Sequence, residues 1–200
     1  ANGEFYYGEV VGFPQLYLVV KIWGDVVARL ANELPLPAWY VKRDIEDIVS
    51  ASIFREDLEP ETGTAIMEFL QEDGVWFVRD YRTSETVPDR RPVDPERWNP
   101  VIPLLQGSPN IRVENMRVED EDYSRWGIDE ETSSAIEIRF PDESDYGTVF
   151  LEHMSLLIGD KTPDGTGYYA LWESDQFFRP TIIVDAEWVE TLFGLFDDPP

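Results

Sequence analysis

The longest run of regularly spaced apolar positions lies near the N-terminus. Apolar side chains recur there at intervals of three and four residues, the period of a helix with one broad buried face. These positions are Leu16, Val19, Val20, Trp23, Val26, Val27, Leu30 and Leu34. A strand over residues 5–11 is predicted before this helix, and a second helix is predicted over residues 44–54, with Asp44 as its N-cap. The pattern therefore predicts an N-terminal amphipathic helix pair.

The rest of the chain alternates apolar and polar positions in short blocks, as antiparallel strands do. Residues 65–71 and 75–81 flank Glu72-Asp73-Gly74, a glycine-containing loop of hairpin length. Further predicted strands cover residues 111–118, 135–140, 148–158, 168–173 and 181–184, and an amphipathic helix begins at Asp185. We expect an α+β fold, with an antiparallel sheet of about seven or eight strands, the N-terminal helix pair and a C-terminal helix.

Residues 82–109 interrupt this pattern with six prolines. Loops of this length without regular structure are usually functional or disordered. The segment also contains Trp98, Leu104 and Leu105, which make it too apolar for a plain linker. We interpret residues 1–200 as a single α+β domain with a Pro-rich extended arm or insertion at about 82–109. This arm would pack on its own domain or on a neighbouring subunit.

Composition adds an extreme charge imbalance. The chain has 41 Asp plus Glu against 16 Lys plus Arg, and its net charge is −25. Only Lys21, Lys42 and Lys161 are lysines. Acidic excess with few lysines resembles the composition of proteins from extreme halophiles. An acidic protein from a high-GC mesophile, where Arg replaces Lys for codon reasons, is a second interpretation. A nucleic-acid mimic is a third, but mimicry needs acids on one face, and here they are spread along the whole chain.

This charge has consequences for ions and partners. A net charge of about 2–8 suffices for a small domain, so the excess makes the compact state repel itself. The Debye length falls from about 8 Å at 0.15 M salt to about 3 Å at 1 M. High K⁺ or Na⁺ would therefore act as non-specific screening ions, and no other cofactor is predicted. Direct binding to nucleic acid or to an anionic membrane is disfavoured, because the densest basic cluster, Arg90, Arg91 and Arg97, is interrupted by acids.

Localisation follows from absences in the sequence. Zero cysteines exclude disulfides, thiol nucleophiles and thiolate metal sites. Charged residues interrupt the longest apolar stretch at every fourth position between 21 and 29, which is not typical of a membrane span. No signal peptide is visible. We expect a cytoplasmic protein, or one in a virus particle assembled in the cytoplasm.

One loop resembles the opening of a calcium site. Asp160, Thr162 and Asp164 place oxygen side chains at alternate positions before Gly165, and the two aspartates are candidate metal ligands. However, Leu171 occupies the twelfth position, where a bidentate acid is needed, and Lys161 lies inside the would-be shell. An ordinary hairpin loop is the favoured interpretation. No catalytic residue and no cofactor-binding residue is predicted.

These observations favour a non-catalytic structural or assembly protein adapted to high salt. It could be a virion component, such as a tail, neck or connector subunit of a halophilic virus, or part of another oligomeric particle. Its partners would be other protein subunits in a homo- or hetero-oligomer. The predicted partner-binding residues are Trp76, Trp98, Leu104, Leu105, Trp188, Leu192 and Phe196. Two alternatives stay open: a carboxylate-dependent hydrolase, and an acidic inhibitor or nucleic-acid mimic.

Overall fold

The computed structural model divides into two compact units. Unit 1 is Ala1–Pro37 and unit 2 is Ala38–Pro200. The structure describes residues 5–9, 11–12, 14–32, 43–56, 65–81, 90–115, 118, 122–129, 133–143, 149–173 and 179–200. The prediction that residues 1–200 form a single domain stays a prediction, and each unit is described by itself.

Unit 1 is a β-hairpin followed by a helix. Strands β1 (Phe5–Glu9) and β2 (Leu16–Val20) pair in antiparallel register, and helix α1 (Lys21–Asn32) begins directly after β2. The prediction of a helix from residue 16 is therefore wrong over its first five positions. The sequence Leu-Tyr-Leu-Val-Val is rich in aromatic and β-branched side chains, which fit a pleated strand better than a helix.

Unit 2 is built on one large antiparallel sheet. Its described strands are β3 (Ser50–Arg55), β4 (Ala65–Glu72), β5 (Val75–Asp80), β6 (Arg91–Pro92), β7 (Ile111–Asn115), β8 (Ser134–Glu143), β9 (Val149–Lys161), β10 (Gly167–Glu173) and β11 (Thr181–Asp185). They lie in the order β6-β5-β4-β3-β8-β9-β10-β11-β7. All of these pairings are antiparallel, and β6 and β7 form the two edges.

The predicted α+β class with an N-terminal helix pair is wrong. Among the described residues, strands account for 48% and helices for 25%, so the protein is mostly β. The second predicted helix is instead a short 3₁₀ turn, Ile45–Asp47, followed by β3. Its apolar residues fit both a helical and an alternating period, and sequence spacing alone does not separate the two over so short a run. Pairing with β4 and β8 on either side selects the strand.

The predicted hairpin around Gly74 is confirmed. Strands β4 and β5 pair from Met67 and Asp80 to Glu72 and Val75. Asp73 and Gly74 form its turn, with φ of 49° and 79°. Positive φ at both central residues is the requirement of the two-residue hairpin turn that matches strand twist, and Asp-Gly meets it.

The predicted C-terminal helix is also confirmed. Helix α3 (Ala186–Phe193) begins after Asp185, whose side chain accepts a hydrogen bond from the Trp188 backbone N–H. A 3₁₀ turn, Gly194–Phe196, continues it. A one-turn helix α2 (Pro95–Trp98) and the 3₁₀ turns Ile102–Gln106 and Ser124–Trp126 complete the described helical segments of unit 2.

The described part of the predicted arm, residues 90–109, packs within unit 2. The Trp98 ring stacks on Phe69 of β4 with centroids 4.3 Å apart, and Trp98 is only 1% exposed. The Trp188 indole N–H donates to the Leu104 carbonyl at 2.7 Å, which ties this segment to α3. Residues 82–89 of the arm lie outside the described residues.

A second apolar cluster lies on the opposite face of the sheet. Residues 122–129 place Tyr123, Trp126 and Ile128 against Leu157 and Leu171. The two strand residues pair directly across β9 and β10. Both faces of the sheet are therefore covered over part of its width.

Candidate interaction surface

The hairpin of unit 1 has two distinct faces. Residues opposite one another in an antiparallel pair share a face, and successive residues alternate. The register pairs Phe5 with Val20, Tyr7 with Leu18 and Glu9 with Leu16, so these six residues lie on one face. Tyr6, Gly8, Tyr17 and Val19 lie on the other.

Helix α1 packs on the second of these faces through Tyr6. A methyl group added at Gly24 would fall 2.1 Å from the Tyr6 ring, so only glycine allows this approach. The Tyr6 hydroxyl donates to the Asp25 carboxylate at 2.7 Å, and the Lys21 ammonium lies 5.7 Å from the ring centroid. The helix therefore turns its small and charged positions toward the hairpin.

The apolar positions of α1 point the other way. At 3.6 residues per turn, Ile22, Trp23, Val26 and Val27 lie opposite the side formed by residues 21, 24 and 25. All four are exposed, and Trp23 has 66% of its surface free. We call these four residues the outer helix face. The expectation that the apolar positions of this helix would be buried is wrong for these described side chains.

The first face of the hairpin is open as well. Tyr7, Leu16, Leu18 and Val20 are all exposed, and Leu18 has 62% of its surface free. We call these four residues the open hairpin face. Ten of the thirteen large apolar side chains that are exposed among the described residues lie between residues 7 and 27. This concentration makes the segment the candidate interaction surface among the described residues, since exposed apolar side chains are usually scattered singly.

Unit 1 also differs from the rest of the chain in charge. Residues 5–32 contain two acids, Glu9 and Asp25, and two bases, Lys21 and Arg29, so their net charge is zero, whereas the whole chain carries −25. Lys21 and Asp25 pair with each other across one helical turn. Asp25 accepts hydrogen bonds from Lys21 and from Tyr6, and these bonds, that of Lys21 foremost, lower the pKa of the Asp25 carboxyl. The apolar surface thus lies on a segment, residues 5–32, that has no net charge in a highly acidic protein.

The predicted partner-binding residues lie elsewhere, in unit 2. They are Trp76, Trp98, Leu104, Leu105, Trp188, Leu192 and Phe196. All are buried except Leu104, which is half-buried. These side chains pack within the chain and leave little surface for a partner, so their role in partner binding stays a prediction.

The candidate metal ligands Asp160 and Asp164 have structural contacts. One Asp164 oxygen accepts hydrogen bonds from the Thr162 hydroxyl at 2.6 Å, the Thr166 hydroxyl at 2.9 Å and the Thr166 N–H at 3.1 Å. These bonds, that of Thr162 foremost, lower the pKa of Asp164 to about 2. The Asp160 carboxylate packs against Gly127. The residues that the structure describes contain no group of three or more His, Cys, Asp or Glu that could hold a metal ion.

Two glutamates lie on the same face of the sheet in unit 2. Ser52 pairs with Glu68 on β4 and with Glu137 on β8, so the two acids flank it on neighbouring strands. Arg79 binds Glu68 at 3.3 Å, and Arg139 binds Glu137 at 2.7 Å. Each carboxylate has its own arginine, an arrangement that suits ion pairing across the sheet.

The chain matches no protein-family model, no curated protein and no solved structure. In the described ranges of the chain, no helix has both the length and the apolar character needed to cross a membrane.

One signal of the surface on unit 1 is present in the sequence. The neutral segment 5–32 stands out against the acidic remainder once charge is counted by segment rather than over the whole chain. Charge counted along the sequence does not predict whether the apolar face of α1 points toward the hairpin or toward solvent. That direction depends on the close contact between Gly24 and Tyr6, which lie on different elements.

Proposed function

We propose that this chain is a non-catalytic structural subunit that assembles with other protein subunits in concentrated salt. The observation that carries this proposal is the exposed apolar surface of unit 1, on a segment with no net charge. Removing apolar side chains from water lowers the free energy of the system. Contact between two acidic surfaces is not stabilising, because their like charges repel. The uncharged apolar segment 5–32 is therefore the region that we propose for partner binding.

Concentrated salt favours such an assembly in two ways. It shortens the range of repulsion between acidic subunits, with the Debye length falling to about 3 Å at 1 M. Salts excluded from the protein surface also strengthen apolar burial. The halophile-like composition and the apolar surface are thus consistent with the same environment.

A virion component of a halophilic virus, such as a tail, neck or connector subunit, is the specific form that we propose. Particles of this kind need subunits that bind one another strongly in brine and remain soluble outside the particle. An acidic, lysine-poor chain with one apolar segment of zero net charge, residues 5–32, meets both needs. Such a subunit would be found in the cytoplasm during assembly and afterwards in the particle.

Light scattering across a salt series tests the assembly proposal. In about 1 M KCl or more, where screening is strong, we expect a mass well above the 23.1 kDa of one chain, or a second protein that co-purifies in fixed ratio. At about 0.15 M salt the complex should dissociate in part. A 23.1 kDa monomer at every salt concentration, with no co-purifying protein, would contradict the proposal.

The virion assignment needs a separate measurement. Purified particles from a halophilic host that encodes the chain should contain it in many copies by mass spectrometry, and it should be enriched over the cell lysate. A chain that is present in infected cells but absent from purified particles would contradict this specific form while leaving the assembly proposal in place.

A further inference from the structure

We propose that one face of the sheet in unit 2 binds a neutral oligosaccharide, along a row of polar side chains centred on Ser52. This inference goes beyond the proposed function, because its ligand is a carbohydrate and not a protein subunit. Both can hold in one protein, since the row lies in unit 2 and the exposed apolar surface lies in unit 1.

The row crosses five neighbouring strands at one level. Ser52 on β3 pairs with Glu68 on β4 and with Glu137 on β8, and the register continues from Glu68 to Arg79 and from Glu137 to Ser155. Directly paired residues share a face of a sheet. We call Arg79, Glu68, Ser52, Glu137 and Ser155 the polar row. Neighbouring strands lie about 4.8 Å apart, so the row extends over about 19 Å and the two glutamate Cα atoms lie about 10 Å apart.

Each glutamate of the polar row has one carboxylate oxygen left for a ligand. Oε2 of Glu68 accepts hydrogen bonds from the Arg79 guanidinium at 3.3 Å and from the Tyr81 hydroxyl at 3.1 Å. Oε1 of Glu137 accepts from Arg139 Nε at 2.7 Å. Within the described part of the chain, the second oxygen of each glutamate accepts no hydrogen bond. An ionised carboxylate accepts through both oxygens, so these two can accept from ligand hydroxyls.

Buried polar groups of the row also have unused hydrogen-bonding capacity. Ser52 is only 6% exposed and lies between the two glutamates on their face of the sheet, yet its hydroxyl makes no hydrogen bond to any residue that the structure describes. Arg79 Nε is buried and has no hydrogen-bond partner either. Most buried polar side-chain atoms in native proteins are hydrogen-bonded. These unpaired groups, beside two half-used carboxylates, point to a binding site and not to ion pairing alone.

Aromatic side chains adjoin the row. Phe54 lies two residues from Ser52 on the same face of β3, and the Tyr81 hydroxyl reaches Glu68. Both rings are half-buried, so part of each remains accessible. Ligand sites combine apolar and aromatic surface with a few placed polar groups. Sugar rings have apolar C–H faces that can pack on such rings while their hydroxyls reach the carboxylates.

Charge favours a neutral ligand. Arg79 with Glu68 and Arg139 with Glu137 form two ion pairs that have no net charge. An anionic sugar would be repelled by the chain's net charge of −25, and a cation would find no uncompensated carboxylate in the row. Concentrated salt weakens recognition by charge but leaves hydrogen bonds to neutral hydroxyls in place. A carbohydrate without charged groups is therefore the ligand class that fits.

Binding of defined hexasaccharides tests the proposal. Maltohexaose, cellohexaose and N-acetylchitohexaose are the neutral probes, and hyaluronan hexasaccharide is the anionic one. Amide NMR of the unmodified chain in about 1 M KCl should show saturable shifts at residues 52, 68 and 137 with at least one neutral probe. The anionic probe should cause no shifts there.

Two substitutions with matched controls locate the site. Ser52→Ala removes the central hydroxyl and should weaken binding about 5-fold, whereas Glu137→Gln removes a charged acceptor and should weaken it about 10-fold or more. Thr181→Val is the first control, because the Thr181 hydroxyl is also buried and unpaired but lies on β11, outside the row. Glu72→Gln is the second control, since Glu72 pairs with Arg90 outside the row. Both controls should bind like the unmodified chain.

Several results would overturn the inference. They are the absence of shifts with every neutral probe, shifts confined to residues outside the row, and equal affinity of Ser52→Ala, Glu137→Gln and the unmodified chain. Tighter binding of the hyaluronan probe would overturn the assignment to a neutral ligand. Circular dichroism checks that each variant is folded. A chain that is monomeric at every salt concentration but binds a neutral probe through the row would contradict the proposed function and leave this inference in place.

Discussion

At the scale of single residues, close backbone contacts hold elements of unit 2 together. Gly159 on β9 is one such position. A methyl group there would fall 2.2 Å from the Trp126 carbonyl oxygen and 2.5 Å from the Ile128 side chain. Because a backbone oxygen cannot rotate away as a flexible side chain can, the whole segment 122–129 depends on the absence of a side chain at Gly159. Loss of this contact would open the cluster formed by Tyr123 and Trp126.

Gly159→Ala should therefore destabilise unit 2 by about 3 kcal/mol, at the upper end of the cost of overpacking a tight site. Gly194→Ala is the matched control, since nothing lies within 4 Å of its added methyl group and its φ of −62° suits alanine. The control should be neutral or more stable by about 0.4–1 kcal/mol. Urea unfolding at fixed salt measures both, and urea adds no ionic strength. A Gly159→Ala variant as stable as the unmodified chain would show that segment 122–129 moves without cost.

At the scale of elements, short connections are held by side chains rather than by sheet hydrogen bonds. The loop between β9 and β10 is an example. Thr162 donates through its hydroxyl to Asp164 and accepts from the Gly167 N–H at 3.1 Å, while Asp164 also binds Thr166. The Asp164 carboxylate connects several residues of the loop, which gives the alternate oxygen side chains there a structural role.

The ionised form of Asp164 should be detectable as a pH-dependent contribution to loop stability. Its folded-state pKa of about 2 lies below the ordinary value of 3.8, so the contribution is present above pH 3.8 and is lost as the pH falls toward 2. Carboxyl NMR should give a titration midpoint near 2, and Thr166→Val should raise it by removing one donor. A midpoint at 3.8 in the unmodified chain would contradict the hydrogen-bonded arrangement.

Elements also show how far the sequence alone leads. The hairpin of β4 and β5 and the helix after Asp185 follow from local signals, a glycine-containing turn and a capping side chain, and both are present. The apolar spacing of the second predicted helix fits a helix and a strand equally well. Residues 50–55 form strand β3 because they pair with β4 and β8 on either side. The burial predicted for the apolar face of α1 fails because Gly24 and Tyr6 place its polar side inward, a contact between elements that spacing does not encode.

At the scale of the whole molecule, charge is distributed unevenly between the two units. Unit 1 has four acids and two bases, a net charge of −2, and unit 2 carries the remaining −23 of the total −25. With 16 bases for 41 acids, pairing within the chain cannot neutralise most carboxylates. Among the ion pairs in the described part of the chain, most involve exposed side chains, which contribute little at high ionic strength. Screening by dissolved ions must therefore replace pairing within the chain.

The melting temperature should rise with salt for this reason. Between about 0.15 M and about 1 M KCl, screening of several kcal/mol of repulsion should raise Tm by on the order of 10 °C. Sucrose, which strengthens apolar burial without screening charge, should raise Tm much less. Differential scanning calorimetry at low protein concentration, where assembly is minimal, makes the comparison. Equal Tm at both salt concentrations would mean that the acidic surface is not self-repelling.

Concentrated salt changes what protects the edges of the nine-stranded sheet from pairing with another sheet. Like charges on edge strands usually keep sheets from pairing with one another, but concentrated salt screens them. The edge strand β6 is only two residues long and ends at Pro92, which has no N–H to donate to an incoming strand. That barrier is covalent, and its effect does not depend on ionic strength. In concentrated salt, where charge no longer keeps edge strands apart, the missing N–H of Pro92 would still hinder pairing of another strand at this edge.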